Sequence, residues 1–361
     1  MSKKKVLIAL IVLSAAGVLT YFLIRGKGDE VTPTIEISSP DLKETVVVPT
    51  LDTPIPDGKS AIWCASFQIA WKDFETSLVK EPIRLRTNND LARQLSDAPL
   101  PKDDLPAEMV YARCGLRRDG IVKAIQEDMK HKFPSVKVPD LGGGDGAVVY
   151  GYLQAAIPFP VPYFDATLKF GNQAERISEV KAFGIKGYRQ GVTRDLWKQV
   201  DLLFGGNREW EPEFAIDLCK DSSPHQIVLA VVSKKETLAA TYDEVQNKIK
   251  NRPGDLQEFS AGDHLAVPVM FWKIDHHFAE LEGNFLENDS MKGWEIDRAI
   301  QTAQFKLDRG GVELKSEATI LPKSASRELV FDRPYLIYMI QRGAKKPFFV
   351  MWVENSELMV K

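Results

Sequence analysis

The sequence predicts an α+β protein: a body of large, mainly antiparallel sheets with helices gathered on its N-terminal side, preceded by a single transmembrane helix. Three observations carry this expectation. Apolar residues recur three and four apart early in the body, strand-like apolar runs crowd its later part, and residues 6–24 form one uncharged run. Segregated helical and strand regions point to α+β layers, whereas a strict βαβ alternation would give a parallel sheet.

The uncharged run lies between Lys3, Lys4 and Lys5 on one side and Arg25 and Lys27 on the other, and its 19 residues are enough to cross a membrane. At ~1.5 Å per residue they span roughly 30 Å of hydrocarbon. The excess of cations before the run places the N-terminus inside and the body outside the cytoplasm. A cleaved signal peptide is the alternative, with small residues at Ser14, Ala15, Ala16 and Gly17. Apolar chain nevertheless continues through Ile24, where a cleavage site would be followed by polar residues. Residues 1–27 are therefore an anchor or signal peptide, giving a single-pass membrane protein or a secreted one. Residues 28–59 carry Pro33, Pro40, Pro49, Pro54 and Pro56 among seven acids and read as an extended acidic stalk. No second linker divides residues 60–361, which read as one body.

The net charge is −3 overall, distributed as +5 over residues 1–27, −5 over 28–59 and −3 over 60–361. A body of that sign lacks the basic face that phosphate binding demands, so no nucleic-acid partner is expected. Cys64, Cys114 and Cys219 are widely spaced and include no C-x-x-C pair, so at most one disulfide forms, and buried free thiols are expected.

Taken in order, the body opens with a helix from Ser60, its apolar face made by Trp63, Phe67, Ala70, Trp71 and Phe74. Pro82, Pro99, Pro101 and Pro106 prevent any long helix over 76–118. Asp119 is placed to cap a second helix with Ile121, Val122, Ile125, Met129 and Phe133 as its stripe. Thr237 caps a third, carrying Leu238, Tyr242, Val245 and Ile249. Strands are expected at 147–153, 227–232, 265–271, 303–307, 312–320, 335–340 and 348–353.

Signatures of catalysis are absent from the sequence. There is no G-x-S-x-G, no H-E-x-x-H and no phosphate loop, and the body is not expected to be an enzyme or to hold a cofactor. Gly142-Gly143-Gly144-Asp145-Gly146 precedes a strand instead of opening a helix, so it reads as a connection. His264, His276, His277 and Glu280 form the one ligand-like cluster. Metal binding needs three or four convergent ligands, and the strand-like run beside them favours surface or hydrogen-bonded histidines, so no metal is expected.

The last sixty residues carry the informative pattern. Ala299-Ile300-Gln301-Thr302-Ala303-Gln304-Phe305-Lys306-Leu307 leads to Asp308-Arg309-Gly310-Gly311-Val312-Glu313. Phe331-Asp332-Arg333-Pro334-Tyr335-Leu336-Ile337-Tyr338 and Pro347-Phe348-Phe349-Val350-Met351-Trp352-Val353 then close the chain. Upstream stand Phe164-Asp165-Ala166-Thr167-Leu168-Lys169-Phe170 and Leu265-Ala266-Val267-Pro268-Val269-Met270-Phe271. In this order, across roughly residues 147–353, the segments resemble the serpin family: central strand, strand and helix, proximal hinge, reactive loop, and two closing strands. Residues 60–147 are tens of residues short of the family's N-terminal helical part, so one or more of those helices is missing or reduced.

The resemblance implies a serine-type peptidase inhibitor acting through a reactive loop at about 311–330. In that family the loop is cleaved as bait and its hinge then inserts as a new strand. The hinge here is Gly311, Val312, Glu313, Leu314, Ser316 and Ala318, with Leu314 and Ile320 bulky for insertion. Lys323, Ser324 and Arg327 are the scissile candidates, and a cation at either position suits a protease of trypsin-like specificity. A non-inhibitory serpin-like module used for binding or scaffolding at the cell surface is the alternative.

Overall fold

In a computed structural model the chain is described over residues 34–98, 105–171, 177–185, 192–206, 212–252, 259, 263–310 and 327–361. The segment 6–24 expected to cross a membrane lies outside these residues, and among the described residues no helix is long and apolar enough to do so.

β1 (Ile35–Ser38), β2 (Thr45–Val47) and β3 (Ser60–Cys64) lead into α1 (Ala65–Asp73), which continues as a π-helical turn over Phe74–Val79, and then α2 (Asp90–Asp97). Next come β4 (Val110–Leu116), α3 (Ile121–Lys132) and β5 (Ala147–Ala156). β6 (Phe164–Phe170), β7 (Ser178–Ile185), α4 (Val192–Gln199), β8 (Asp201–Gly205), β9 (Phe214–Asp217), β10 (His225–Val231) and α5 (Leu238–Lys250) follow. The remainder is β11 (His264–Pro268), β12 (Met270–His277), β13 (Ile296–Leu307), β14 (Glu328–Val330), β15 (Tyr335–Gln341) and β16 (Phe349–Val353).

Among the described residues these strands make a five-stranded sheet ordered β1-β12-β13-β5-β4, a seven-stranded sheet ordered β2-β3-β16-β15-β10-β9-β8 and a four-stranded sheet ordered β14-β11-β7-β6. The expected α+β class with large, chiefly antiparallel sheets is therefore present, although β1–β12, β2–β3, β13–β5 and β11–β14 run parallel.

Several local expectations need correction. Residues 60–64 are a strand, wholly buried between β16 and β2, and the helix begins only at Ala65. A fully buried strand running into a buried helix leaves no polar face from which periodicity can locate the junction. Helix α3 is preceded by Gly120 at φ +82°, with no side-chain cap, so Asp119 does not cap it. Thr237 does cap α5, accepting from the Ala240 amide at 3.1 Å. The described part of the expected stalk is not extended away from the body. Ile35–Ser38 pairs with Trp272–Asp275, and Thr45–Val47 pairs with Ser60–Ile62. Short β-branched runs there satisfy their backbone by edge pairing, which outweighs the proline-rich average composition.

Both faces of the five-stranded sheet are covered. Phe67 and Trp71 of α1 pack on Ala147, Val149, Ile296 and Ala299. Ile121, Ile125 and Met129 of α3 pack on Val148, Tyr150, Tyr152 and Ile300 of the opposite face. The alternation along β5 is the period-two geometry of a strand. Gly151 lets α1 approach closely, because a Cβ there would lie 2.5 Å from the Phe67 amide nitrogen.

Candidate functional site

The centre of the five-stranded sheet is a parallel seam. β5 and β13 run side by side from Ala147 opposite Ile296 to Ala156 opposite Lys306, whereas their outer neighbours β4 and β12 are antiparallel to them. Parallel neighbours cannot be joined by a tight hairpin, and these two come from segments far apart in sequence. Small side chains fill much of β13 along the seam, with Ala299, Thr302 and Ala303 buried. The Thr302 hydroxyl donates to Asp275 Oδ1 at 2.7 Å. Gln301 is also buried, and its Nε2 has no hydrogen-bond partner among the described residues.

Above the C-terminal end of β13 the chain is fixed at several points. The Tyr163 amide donates to the Arg309 carbonyl at 2.9 Å, and the Gly310 amide donates to Asp308 Oδ1 at 3.0 Å. Arg309 lies 3.5 Å from the Asp165 carboxylate. Gly310 adopts φ +67° with its Cα against Phe159, where an added Cβ would approach the ring to 3.1 Å. A side chain would therefore be strained there on two counts. Phe159 itself packs edge-on to Tyr163, whose hydroxyl is buried and donates to the Leu218 carbonyl. Burial raises the Tyr163 phenol well above its ordinary range.

The chain is caught again at Arg327. Its side chain is buried, with Nη2 at 2.6 Å from Asp263 Oδ2 and Nε at 3.0 Å from Oδ1, and its amide also donates to Oδ1 at 3.0 Å. The His264 amide donates to the Arg327 carbonyl at 2.8 Å, which starts the parallel pairing of β14 with β11. Residues 311–326 thus leave one pinned point, Gly310, and return to another, Arg327.

This architecture matches solved structures. A serine protease inhibitor, serpin-12 of Manduca sexta, is similar at 11% identity over 83% of this chain and 94% of that one, with a TM-score of 0.51. Human glycosylated kallistatin matches at 12% identity, 83% and 92% coverage and a TM-score of 0.50. Thyroxine-binding globulin in complex with thyroxine matches at 10% identity, 82% and 93% coverage and a TM-score of 0.50. The chain has the serpin fold. No protein-family profile matches its sequence, and no curated protein does.

The span 311–326, which follows β13, is where the resemblance to serpins places a reactive loop. The expected hinge residues Gly311, Val312, Glu313, Leu314, Ser316 and Ala318, and the scissile candidates Lys323 and Ser324, lie outside the described residues. Arg327 is within them and is corrected as bait: a buried guanidinium bonded to Asp263 is not offered to a protease pocket. Sequence reasoning missed this because Asp263 lies 64 residues earlier, and only the fold brings the two together. It also missed Phe159 under Gly310.

The ligand-like histidines do not converge. His264 Nδ1 is 2.7 Å from Glu328, His276 Nδ1 is 2.7 Å from the Ser39 hydroxyl, and His277 Nδ1 is 2.9 Å from Glu282. The Glu280 carbonyl accepts from the Asn89 and Asn284 side chains. Among the described residues no three His, Cys, Asp or Glu side chains are placed to hold a metal. Cys64, Cys114 and Cys219 are all free thiols; Cys64 and Cys219 are buried, and burial pushes the Cys64 thiol up.

Proposed function

We propose that this protein is a membrane-tethered serpin-like inhibitor of a serine-type protease with trypsin-like specificity. Residues 6–24 act as the anchor, and the body stands outside the cytoplasm with the loop as bait. The observation that carries the reading is the parallel seam of β5 and β13, with the loop leaving through Gly310 at its end. A loop that turns back at Gly310 and enters the seam runs antiparallel to both strands. It replaces one parallel pairing by two antiparallel ones, the slightly more stable kind per residue.

The lengths agree. Residues 311–322 precede Lys323, and a reversal consumes about two of them, leaving about ten. That is the length of β5, which has 10 residues. Attack by the protease serine on the Lys323 carbonyl breaks the bond to the Ser324 nitrogen, which leaves as a free amine. The acyl bond that forms joins protease and loop. Insertion then carries the acylated enzyme towards the far end of the seam before water can release it. The stored energy is that of a native state less stable than the cleaved one.

A second reading, a non-inhibitory module that binds or scaffolds at the cell surface, is favoured by the hinge composition. Both faces of the seam are covered, by α1 and α3, so Leu314 and Ile320 on one side and Glu313, Lys315 and Glu317 on the other must all be accommodated. The name of one matched structure, thyroxine-binding globulin in complex with thyroxine, describes a protein of this fold that carries a ligand. Limited trypsin digestion of the full chain in mild detergent, followed by melting of the nicked product, separates the two. A cut after Lys323 with a large rise in melting temperature supports the inhibitor, whereas a cut with unchanged or lower stability supports the static module.

A further inference from the structure

At the end of the seam opposite the loop, an arginine crosses β5 to reach β13. Arg117 follows β4, and its amide donates to the Gly146 carbonyl at 3.2 Å, immediately before β5 begins. Its guanidinium passes over that point, donating through Nε to Asp297 Oδ2 and through Nη2 to the Leu141 carbonyl. Both partners are largely buried, with side-chain exposures of 10% for Arg117 and 12% for Asp297. Asp297 also holds Arg298, whose Nη1 is 3.3 Å from Oδ1.

Two features are built around this contact. The seam register slips between Ile296 and Arg298, so Asp297 is a bulged residue with no partner opposite it on β5, and a bulge re-aims the side chain it carries. The glycine-rich run 142–146 is shaped to the pair. A Cβ on Gly142 would lie 2.7 Å from the Arg298 guanidinium, one on Gly144 2.9 Å from Asp297 Oδ1, and one on Gly146 2.4 Å from the Glu295 carbonyl oxygen. The glycines let backbone close over charged side chains that a larger residue would displace.

We propose that the Arg117–Asp297 ion pair is a latch that clamps the base of the β5–β13 seam shut and must break before a strand can occupy its full length. The inference rests on the reading that the loop inserts. An added strand moves Asp297 about 4.8 Å away from β4 and β5, and neither the ion pair nor the 2.8 Å bond from the Ala147 amide to the Glu295 carbonyl survives that displacement. The upper seam is crossed by neutral hydrogen bonds, from the Tyr152 hydroxyl to Gln304 Oε1 at 3.2 Å and from the Tyr163 amide to the Arg309 carbonyl at 2.9 Å, which are weaker than a charge-assisted pair, so the loop meets its greatest resistance at the base. A loop stopped there is partly inserted, and an acylated protease is dragged part-way only. The latch therefore sets the final step of insertion.

The test uses the full chain in mild detergent, with Asp297→Asn, Arg117→Gln and the milder Arg117→Lys. Amide exchange of the intact proteins is compared at the base (residues 147–150 and 296–300) and at the top (153–156 and 303–306). The latch predicts exchange about tenfold faster or more at the base in Asp297→Asn and Arg117→Gln, with the top unchanged. It also predicts that the rise in melting temperature after loop cleavage completes about tenfold sooner in both variants than in the unmodified chain. Base exchange that stays at its original rate, or exchange that accelerates equally at base and top in every variant, Arg117→Lys included, overturns the latch. If the unmodified chain gains no stability after cleavage, the insertion reading fails and the latch fails as a gate, even where base exchange shows the seam opening locally. If it gains stability at the same rate as the variants, insertion stands and the latch alone is overturned.

Discussion

Arg327 and Asp263 meet in a buried ion pair with three hydrogen bonds between them, two from the guanidinium and one from the Arg327 amide, and this contact fixes the chain immediately before β14. Removing one member breaks a buried, hydrogen-bonded ion pair, which costs about 3–5 kcal/mol. Asp263→Ala is expected to lower stability by that amount in urea unfolding. It should also expose the Arg327–Glu328 bond. Trypsin, which should spare that bond in the unmodified chain, is expected to cut it in the variant, as mass mapping of the fragments would show. Cutting at Arg327 in the unmodified chain would contradict the buried geometry.

Leu314 tests the hinge. If the loop inserts as proposed, its side chain enters a seam formed by β5 and β13 whose two faces are covered by α1 and α3. Overpacking of this kind costs about 1–3 kcal/mol, so Leu314→Ala is expected to speed insertion about fivefold or more. The readout is the second-order rate of inhibition of a trypsin-like protease, together with the ratio of inhibited to cleaved molecules. A static module would show no change in either.

Much of this architecture was legible from the chain alone. The runs forming β5, β10, β15 and β16 are nearly continuous apolar stretches, and central strands buried on both faces carry that signature. The junction at Cys64–Ala65 was not legible, because buried strand and buried helix look alike over a few residues. β1 was hidden by the prolines around it, although Ile35 and Ile37 do alternate with Glu36 and Ser38. The contacts Arg327–Asp263 and Arg117–Asp297, the latter 180 residues apart, have no periodic trace and exist only once the sheets are assembled.

His276 gives the fold a pH dependence. Its half-buried imidazole lies edge-on to the Phe278 ring and is bonded to Ser39, and desolvation, helped by neighbouring His277, holds its pKa down to about 4. An exposed histidine titrates near 6.5. The unfolded chain therefore binds a proton that the folded one refuses, and stability is lost as pH falls from about 6.5 towards 4. Between pH 7 and pH 5 the loss from this group is about 2 kcal/mol. His277 works in the opposite sense, because Glu282 raises its pKa and its stabilisation is present only at the lower pH. His276→Asn is expected to remove the acid-side loss in urea unfolding at the two pH values, and His277→Asn to deepen it. An unchanged slope in His276→Asn would reject the assignment.

The N-terminal strap supplies the last test. A free stalk could be cut away without consequence, whereas here β1 covers the edge of β12 and β2 covers the edge of β3. Between them, the Lys43 and Glu44 amides donate to the Glu357 carboxylate at 2.7 Å and 3.0 Å, tying the connection to the end of the chain. Val47 and Val48 are buried in the main core. Burying two such side chains is worth about 3 kcal/mol or more, and a freed edge strand invites pairing with other chains. A protein beginning at residue 56 is therefore expected to melt several degrees below one beginning at residue 34, and to associate at concentrations where the longer one stays monomeric. Differential scanning calorimetry and sedimentation velocity on the two lengths would show this. Equal melting and equal monodispersity would return residues 34–55 to the role of a passive stalk.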